Sequence, residues 1–209
     1  MNIRKAELEN MEQRVRAAFI NALGGFKSLV LIGTQSADGQ ANLAVFSSLF
    51  HIGANPPLFG IIVRPDKSDR HTFENIQAAG QFSVNHVTKE FFEKAHQTSA
   101  RYPREVSEFD AVGLTPEHWN GYSAPLVMES QVKWMAECRE IHDLKINGTH
   151  MVIAEIVEVS VPNDCVSTDG WVDLEKAGTV TVSGLDSYHV TSQLARLSYA
   201  KPDQPLKKL

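Results

Sequence analysis

The 209-residue sequence predicts a mainly β protein with peripheral helices, its strands antiparallel and closed or nearly closed into one barrel. Three observations predict it. Six or more stretches have strand character, most links between them are hairpin-like, and every helical stretch inside the strand region is short. The length suits one domain, able to bury about 70% of the surface its unfolded chain exposes. Three parts are expected: an N-terminal helix over 1–24, packing on the barrel or on a partner subunit; the barrel domain over 25–162; and a C-terminal extension over 163–209 that returns to the barrel and frays at its end.

The elements follow in order. Leu8, Met11, Val15, Ala18, Phe19 and Ala22 recur at helical spacing and stop at Gly24-Gly25, so residues 3–23 read as one amphipathic helix. "SLVLIGTQ", "SADGQ" and "ANLAVFSSLF" read as strand, turn and strand. A third strand, "LFGIIVRP", follows Pro56-Pro57. "SDRHTFENIQAAG" is a short helix with a Ser68 or Asp69 cap and a Gly80 stop. "QFSVNHV" is a strand and "TKEFFEKAHQTS" a second short helix. From Ala100 to Tyr122 the periodicity breaks down into a long connection, with Glu105, Glu108 and Asp110 read as solvated charges. "PLVMESQVKWMAECREIHDL" and "THMVIAEIVEVSVP" are strands or strand pairs, with "NGT" at Asn147 a hairpin turn between them. The segment from Asp164 to His189 reads as a strand or short helix, and "KPDQPLKKL" as a frayed tail.

Composition narrows the function. Hydrophobic residues make up 43% and charged residues 22%, ordinary for a soluble globular chain. A net charge of -5 argues against nucleic acid or an anionic membrane as the main partner, since both select a basic excess. No stretch has the ~18 apolar residues of a membrane span, and the N-terminus lacks a signal-peptide core. Cys138 and Cys165 form no CxxC, so a reducing cytoplasm is the expected location.

Chemistry is concentrated in two stretches. The strand "ANLAVFSSLF" is apolar on both faces, and alternation sets Leu43, Val45, Ser47 and Leu49 against Ala44, Phe46, Ser48 and Phe50. One hydroxyl therefore interrupts each face. An unpaired buried hydroxyl costs about 1–3 kcal/mol, so each serine must meet a backbone carbonyl, a water or a ligand. The second stretch, "RPDKSDRHTFENI", gathers Arg64, Lys67, Arg70 and His71 with Ser68 and Thr72 where a helix starts. Free N–H groups and the dipole favour a phosphate there, and arginine adds a two-pronged grip; a solvated turn with Asp66 and Asp69 offsetting the charge is the other reading.

Other signatures are missing. "ALGGF" is not GxGxxG, and there is no P-loop, HExxH or GxSxG. The eight histidines are scattered, with no metal spacing. Trp119, Tyr122, Trp134, Trp171 and Tyr188 suit either a core or a planar ligand, and Asn85 is either a bonded structural amide or a pocket residue.

"ANLAVFSSLFHIGANPPLFGIIVRP", "RHTFENIQAAGQFSVNHV", "VSEFDAVGL" and "PLVMESQVKWMAECR" together resemble the flavin reductase-like, flavoredoxin-type split barrels that bind FMN. Order and spacing agree over about residues 25–160, and "GLDSYH…RLSYAKP" looks like a subgroup's C-terminal extension. The resemblance implies a six-stranded antiparallel Greek-key split β-barrel, a homodimer, and FMN near the subunit interface. It implies Asn42, Phe46, Ser47 and Ser48 at the flavin ring. Arg64, Ser68, Arg70, His71 and Thr72 would hold the phosphate, Asn75 and Asn85 would support the pocket, and Tyr188 and His189 would cap it. NADH or NADPH would pass hydride to flavin N5, with no acid, base or nucleophile asked of the protein. The reduced flavin would then go to a monooxygenase or another acceptor. A non-enzymatic FMN electron carrier is the alternative, and a split barrel with haem, ligated by His51, His86 or His189, a third.

Overall fold

Val30, Ile32, Val84, Phe59 and Ile61 alternate with residues buried on the opposite side, so the strands that carry them are covered on both faces. The structure, a computed structural model, describes residues 1–65 and 71–209. In chain order the elements are α1 (Lys5–Asn10), α2 (Gln13–Leu23), β1 (Lys27–Ser28), β2 (Val30–Gln35), β3 (Ala41–Phe46), β4 (Phe50–Ala54) and β5 (Pro57–Val63). They continue with α3 (His71–Ala79), β6 (Gln81–His86), α4 (Phe92–Gln97), α5 (Glu108–Val112), β7 (Pro116–Glu117), β8 (Leu126–Val127) and β9 (Lys133–Leu144). β10 (Thr149–Ser160), a 3-10 turn over Asn163–Cys165, β11 (Thr181–Ser183) and β12 (Ser187–His189) complete them.

The main sheet runs β3-β2-β6-β9-β10-β5-β4, all antiparallel. This is the split barrel the sequence predicts, with seven strands in the sheet rather than six. The extra strand comes from "ANLAVFSSLF". Its first half pairs with β2 at one edge, and its continuation, β4, pairs with β5 at the other. One apolar run thus supplies both edges, and the crossing between them is the split. The face assignment changes at the same point. Leu43 and Val45 pack on the outer cluster, whereas Phe46 and Leu49 both pack on the inner one, so strict alternation fails across Ser47–Leu49.

Inside the barrel Phe59, Phe82 and Trp134 meet edge to face, and Phe73 and Ile76 of α3 plug one end. Outside it, α4, α5 and β11 cover Leu31, Leu43 and Val87. Asn147 and Gly148 turn the long β9–β10 hairpin as "NGT" predicts, and Gly80, at φ 67°, ends α3.

Four expectations are corrected. The helix over 3–23 is two helices, because Glu12 turns its carboxylate onto the N–H groups of Arg14 (2.7 Å) and Val15 (3.0 Å) and caps a new start. The long connection holds α5 and β7, and "PLVMESQ" contributes only the two-residue β8 before β9 begins. The tail, read as a frayed end, has backbone bonds of its own. Ser198 N–H bonds Lys207 O (2.8 Å) and Leu209 N–H bonds Arg196 O (3.0 Å), folding 196–209 back around a Lys201–Gln204 turn. The fourth, Glu108, belongs to the site below. The Ser68/Asp69 cap lies outside the described residues.

Candidate functional site

At Phe46 the chain leaves β2, and four residues later, at Phe50, it joins β5. Two hydroxyls fasten this crossing. Ser48 Oγ donates to Ile62 O (3.0 Å) and accepts from Ile62 N–H (3.1 Å), while Ser28 Oγ donates to Leu49 O (3.1 Å). Of the three partners open to Ser48, the backbone is the one it has. Its hydroxyl therefore locks the bend to β5. Ser47 is half-buried beside it. Among the described residues, the backbone N–H groups of Ser47, Ser48 and Leu49 have no protein acceptor. The bend thus presents three successive donors next to the half-buried rings and chains of Phe46 and Leu49.

At the other end of β3, Asn42 is buried and donates through Nδ2 to Thr34 Oγ1 (3.2 Å) and Thr72 Oγ1 (2.9 Å). Asn75 Nδ2 donates to the same Thr34 oxygen (3.1 Å). This knot pins the first turn of α3 to β2 and β3. His71 opens α3, and Arg64 stands exposed just beyond β5. The sequence-predicted residues Asn42, Phe46, Ser47, Ser48, His71, Thr72 and Asn75 are therefore gathered along one strand and the helix start against it. Asn42 and Phe46 share a face about 13 Å apart at strand spacing. Ser68 and Arg70 lie outside the described residues.

Glu108 is the residue that sequence reasoning missed. It was expected to be a solvated loop charge, and it is buried, 7% exposed, with Oε2 accepting the Leu43 N–H at 2.9 Å. Burial raises its pKa, opposed by that N–H bond, by its own backbone N–H and by the charge of His71. It covers an outward-facing donor on edge strand β3 and sets a carboxylate beside the start of α3. The signal was Phe109, next to it, and Gly113, whose φ of 67° ends α5: an apolar anchor and a stop mark a packed helix.

Asn85 is fully buried. Nδ2 donates to Leu31 O (3.1 Å) and Ser83 Oγ (2.9 Å), and Oδ1 accepts Val127 N–H (2.8 Å). It is a bonded structural amide tying β8 to β2 and β6. Tyr188 and His189 stand apart from the group on β3, in a small β1-β11-β12 sheet. Tyr188 packs on Phe92 and its hydroxyl bonds His96 of α4; burial, then Asp186, pushes its phenol up. His189 bonds Ser183 Oγ (2.9 Å) and Ser187 Oγ (3.1 Å) and meets Phe26 edge to face. No contact brings either to Asn42, Ser47 or Thr72 among the described residues. Two clefts, of ≈ 580 Å³ beside Lys89, Cys165 and Lys176 and of ≈ 330 Å³ at His118, Trp119, Asn120 and Glu158, contain none of the predicted residues.

Comparison with known proteins places this architecture. The family model "Flavin reductase like domain" matches residues 23–177. A split-barrel protein of Shewanella frigidimarina NCIMB 400, assigned to the flavin reductases, superposes with a TM-score of 0.93 at 51% identity, covering 96% of this chain and 100% of that one. An uncharacterized protein of Aquifex aeolicus (strain VF5) is 32% identical over 69% of this chain and 74% of its own. Nitrilotriacetate monooxygenase component B from Bacillus cereus shares the fold, with a TM-score of 0.82 at 18% identity over 94% of this chain and 98% of that one. With the split barrel, the β3–β4 crossing and the matched span in agreement, the chain belongs to the flavin reductase-like domain family.

Proposed function

We propose that the chain is an NAD(P)H-dependent flavin reductase that binds FMN along β3. The observation that carries this reading is the Ser47–Leu49 bend: three uncommitted backbone donors, held rigid by Ser48 and Ser28, beside apolar side chains. Such a row fits the acceptor-rich edge of an isoalloxazine, and Phe46 and Leu49 suit its apolar part. The opening of α3, with His71 and Thr72, and the basic side chains that precede it in the sequence suit a phosphate. A bound flavin supplies a two-electron acceptor at N5 for the hydride of nicotinamide C4.

The chain's own part is to bind, orient and shield. The donors at 47–49 fix the ring's position and favour the electron-rich reduced form, a pre-set electrostatic role needing no proton-transfer residue. The knot of Thr34, Asn42, Thr72 and Asn75 keeps α3 from moving relative to β3. In the full reading two copies form a homodimer around the flavin in the cytoplasm, and the reduced flavin serves a monooxygenase or another acceptor.

Purified protein mixed with NADH or NADPH and FMN tests the proposal: nicotinamide absorbance should fall faster than in a no-protein control. A protein that binds FMN but is reduced only by another protein would instead be an electron carrier. Separate titrations with FMN and riboflavin should favour FMN, and Arg70→Ala should weaken FMN more than riboflavin. Equal losses for both ligands would refute the phosphate assignment.

A further inference from the structure

The C-terminal twenty residues carry four basic side chains, Arg196, Lys201, Lys207 and Lys208, against one acidic, Asp203, a net of +3. Residues 1–189 carry 16 basic and 24 acidic side chains, a net of -8. The basic segment is an ordered hairpin, and its root is fixed. Arg196 lies 4.4 Å from the Trp171 ring centroid and pairs with Asp169, whose carboxyl the Ser167 hydroxyl and then Arg196 hold down at about 2.

Beyond the root the arm is apolar and uncovered. Leu194 is 99% and Tyr199 89% exposed, and Val190, Leu197, Leu206 and Leu209 are all more than half exposed. A hairpin this apolar, kept in shape by its own backbone bonds and with these side chains left exposed, has the composition of an interface rather than of a surface. The acidic body offers matching uncovered apolar side chains: Phe50 and Ile52 on edge strand β4, and Val157 and Val159 on β10, beyond the last residue that β5 pairs.

We propose that the 190–209 arm docks on the body of a second copy of this chain, and that the exchange is reciprocal. Opposite net charges draw arm to body, the apolar side chains of each cover the other, and a two-fold axis lets both arms engage at once. The inference rests on the homodimer in the proposed function and assigns the segment that holds it together.

Sedimentation equilibrium on the full chain, at low and raised salt, provides the test. The wild type should be a dimer, and the Leu194→Asp/Tyr199→Asp double variant should dissociate at least tenfold more readily with unchanged circular dichroism. Its own fold does not cover either side chain. Raised salt should weaken the wild-type dimer. A photo-crosslinking phenylalanine analogue at position 199 should yield a covalent dimer whose crosslinked peptide lies within residues 26–189. A double variant as dimeric as the wild type overturns the role of the arm and leaves the homodimer standing. A monomeric wild type that binds FMN overturns both and spares the flavin reading. So does a monomer that binds anionic vesicles or nucleic acid through the arm's lysines, since the arm's occupant would then be a polyanion.

Discussion

Ser48 and Asn85 show how far a single polar side chain in this barrel is used by the backbone around it. The Ser48 hydroxyl satisfies both the N–H and the carbonyl of Ile62. Ser48→Ala leaves both without that partner in a half-buried bend and should cost about 1–3 kcal/mol, seen as a lower denaturant midpoint at unchanged m-value. Asn85→Leu fills the same volume yet removes the acceptor of the Val127 N–H and the amide donor shared by the Leu31 carbonyl and the Ser83 hydroxyl, the latter keeping only its bond to Pro125 O. A loss of about 3 kcal/mol or more is expected, larger than for Ser48→Ala. If riboflavin affinity were to fall in Asn85→Leu with stability intact, Asn85 would be a ligand contact rather than a framework amide. Glu108 belongs to this scale too. Glu108→Gln keeps an acceptor for the Leu43 N–H, so it should be milder than Glu108→Leu, which removes it.

Between elements, two close approaches decide how the strands and their covers fit. A methyl at Gly33 would overlap the Pro125 carbonyl oxygen and the Ser83 hydroxyl. The carbonyl belongs to the backbone entering β8, so it cannot rotate away as a side chain would. Gly33→Ala should force β8 off the sheet, with a destabilisation of about 1–3 kcal/mol and faster amide exchange at Val127, whose N–H is otherwise held by Asn85. At Gly60 the obstacle is the ring of Phe50, which lies over the glycine across the β4–β5 pair. Gly60 leaves room for that ring, and Gly60→Ala would displace it and loosen the β4 edge. The element scale also explains the broken strand. Ser48 and Ser28 bond outward from the main ladders, so "SSL" turns where a longer strand would have continued.

For the whole molecule, acid stability reflects where titratable groups are enclosed. His86 lies against Trp134 and bonds Thr179 Oγ1 (3.2 Å), and burial lowers its pKa from 6.5 to about 4. The unfolded chain therefore takes up this proton before the folded one. The stability from keeping the ring neutral is complete above about pH 6.5 and is lost as pH falls towards 4. Glu117 adds in the same sense. Partial burial raises its pKa, but bonds from Lys133 and Trp119 outweigh that and leave it lowered, so its contribution is also lost in acid. Thermal melts between pH 7 and 4 should show a falling midpoint, and His86→Gln should flatten the slope. An unchanged slope in that variant would remove His86 as the cause.

Strand and turn patterning by themselves determined a closed or nearly closed antiparallel barrel, the β9–β10 turn at Asn147 and the Gly80 stop. The split-barrel class and the listing together of Asn42, Phe46, Ser47, Ser48, His71, Thr72 and Asn75 came from the resemblance of the sequence motifs to a known family. The first three rest on alternation, glycine conformation and local spacing, and the resemblance rests on short motifs in a fixed order, all of which are carried by neighbouring residues in the chain. Tertiary structure alone decided that one apolar run feeds both sheet edges, that Ser48 is bound by Ile62, and that Glu108 is buried on Leu43 from 65 residues away. It also decided that the basic tail is an ordered arm and that Tyr188 packs on α4. The physical reason is the same in each case: a polar atom's partner is chosen by what the fold brings beside it, and that partner is set by long-range pairing that no local pattern encodes.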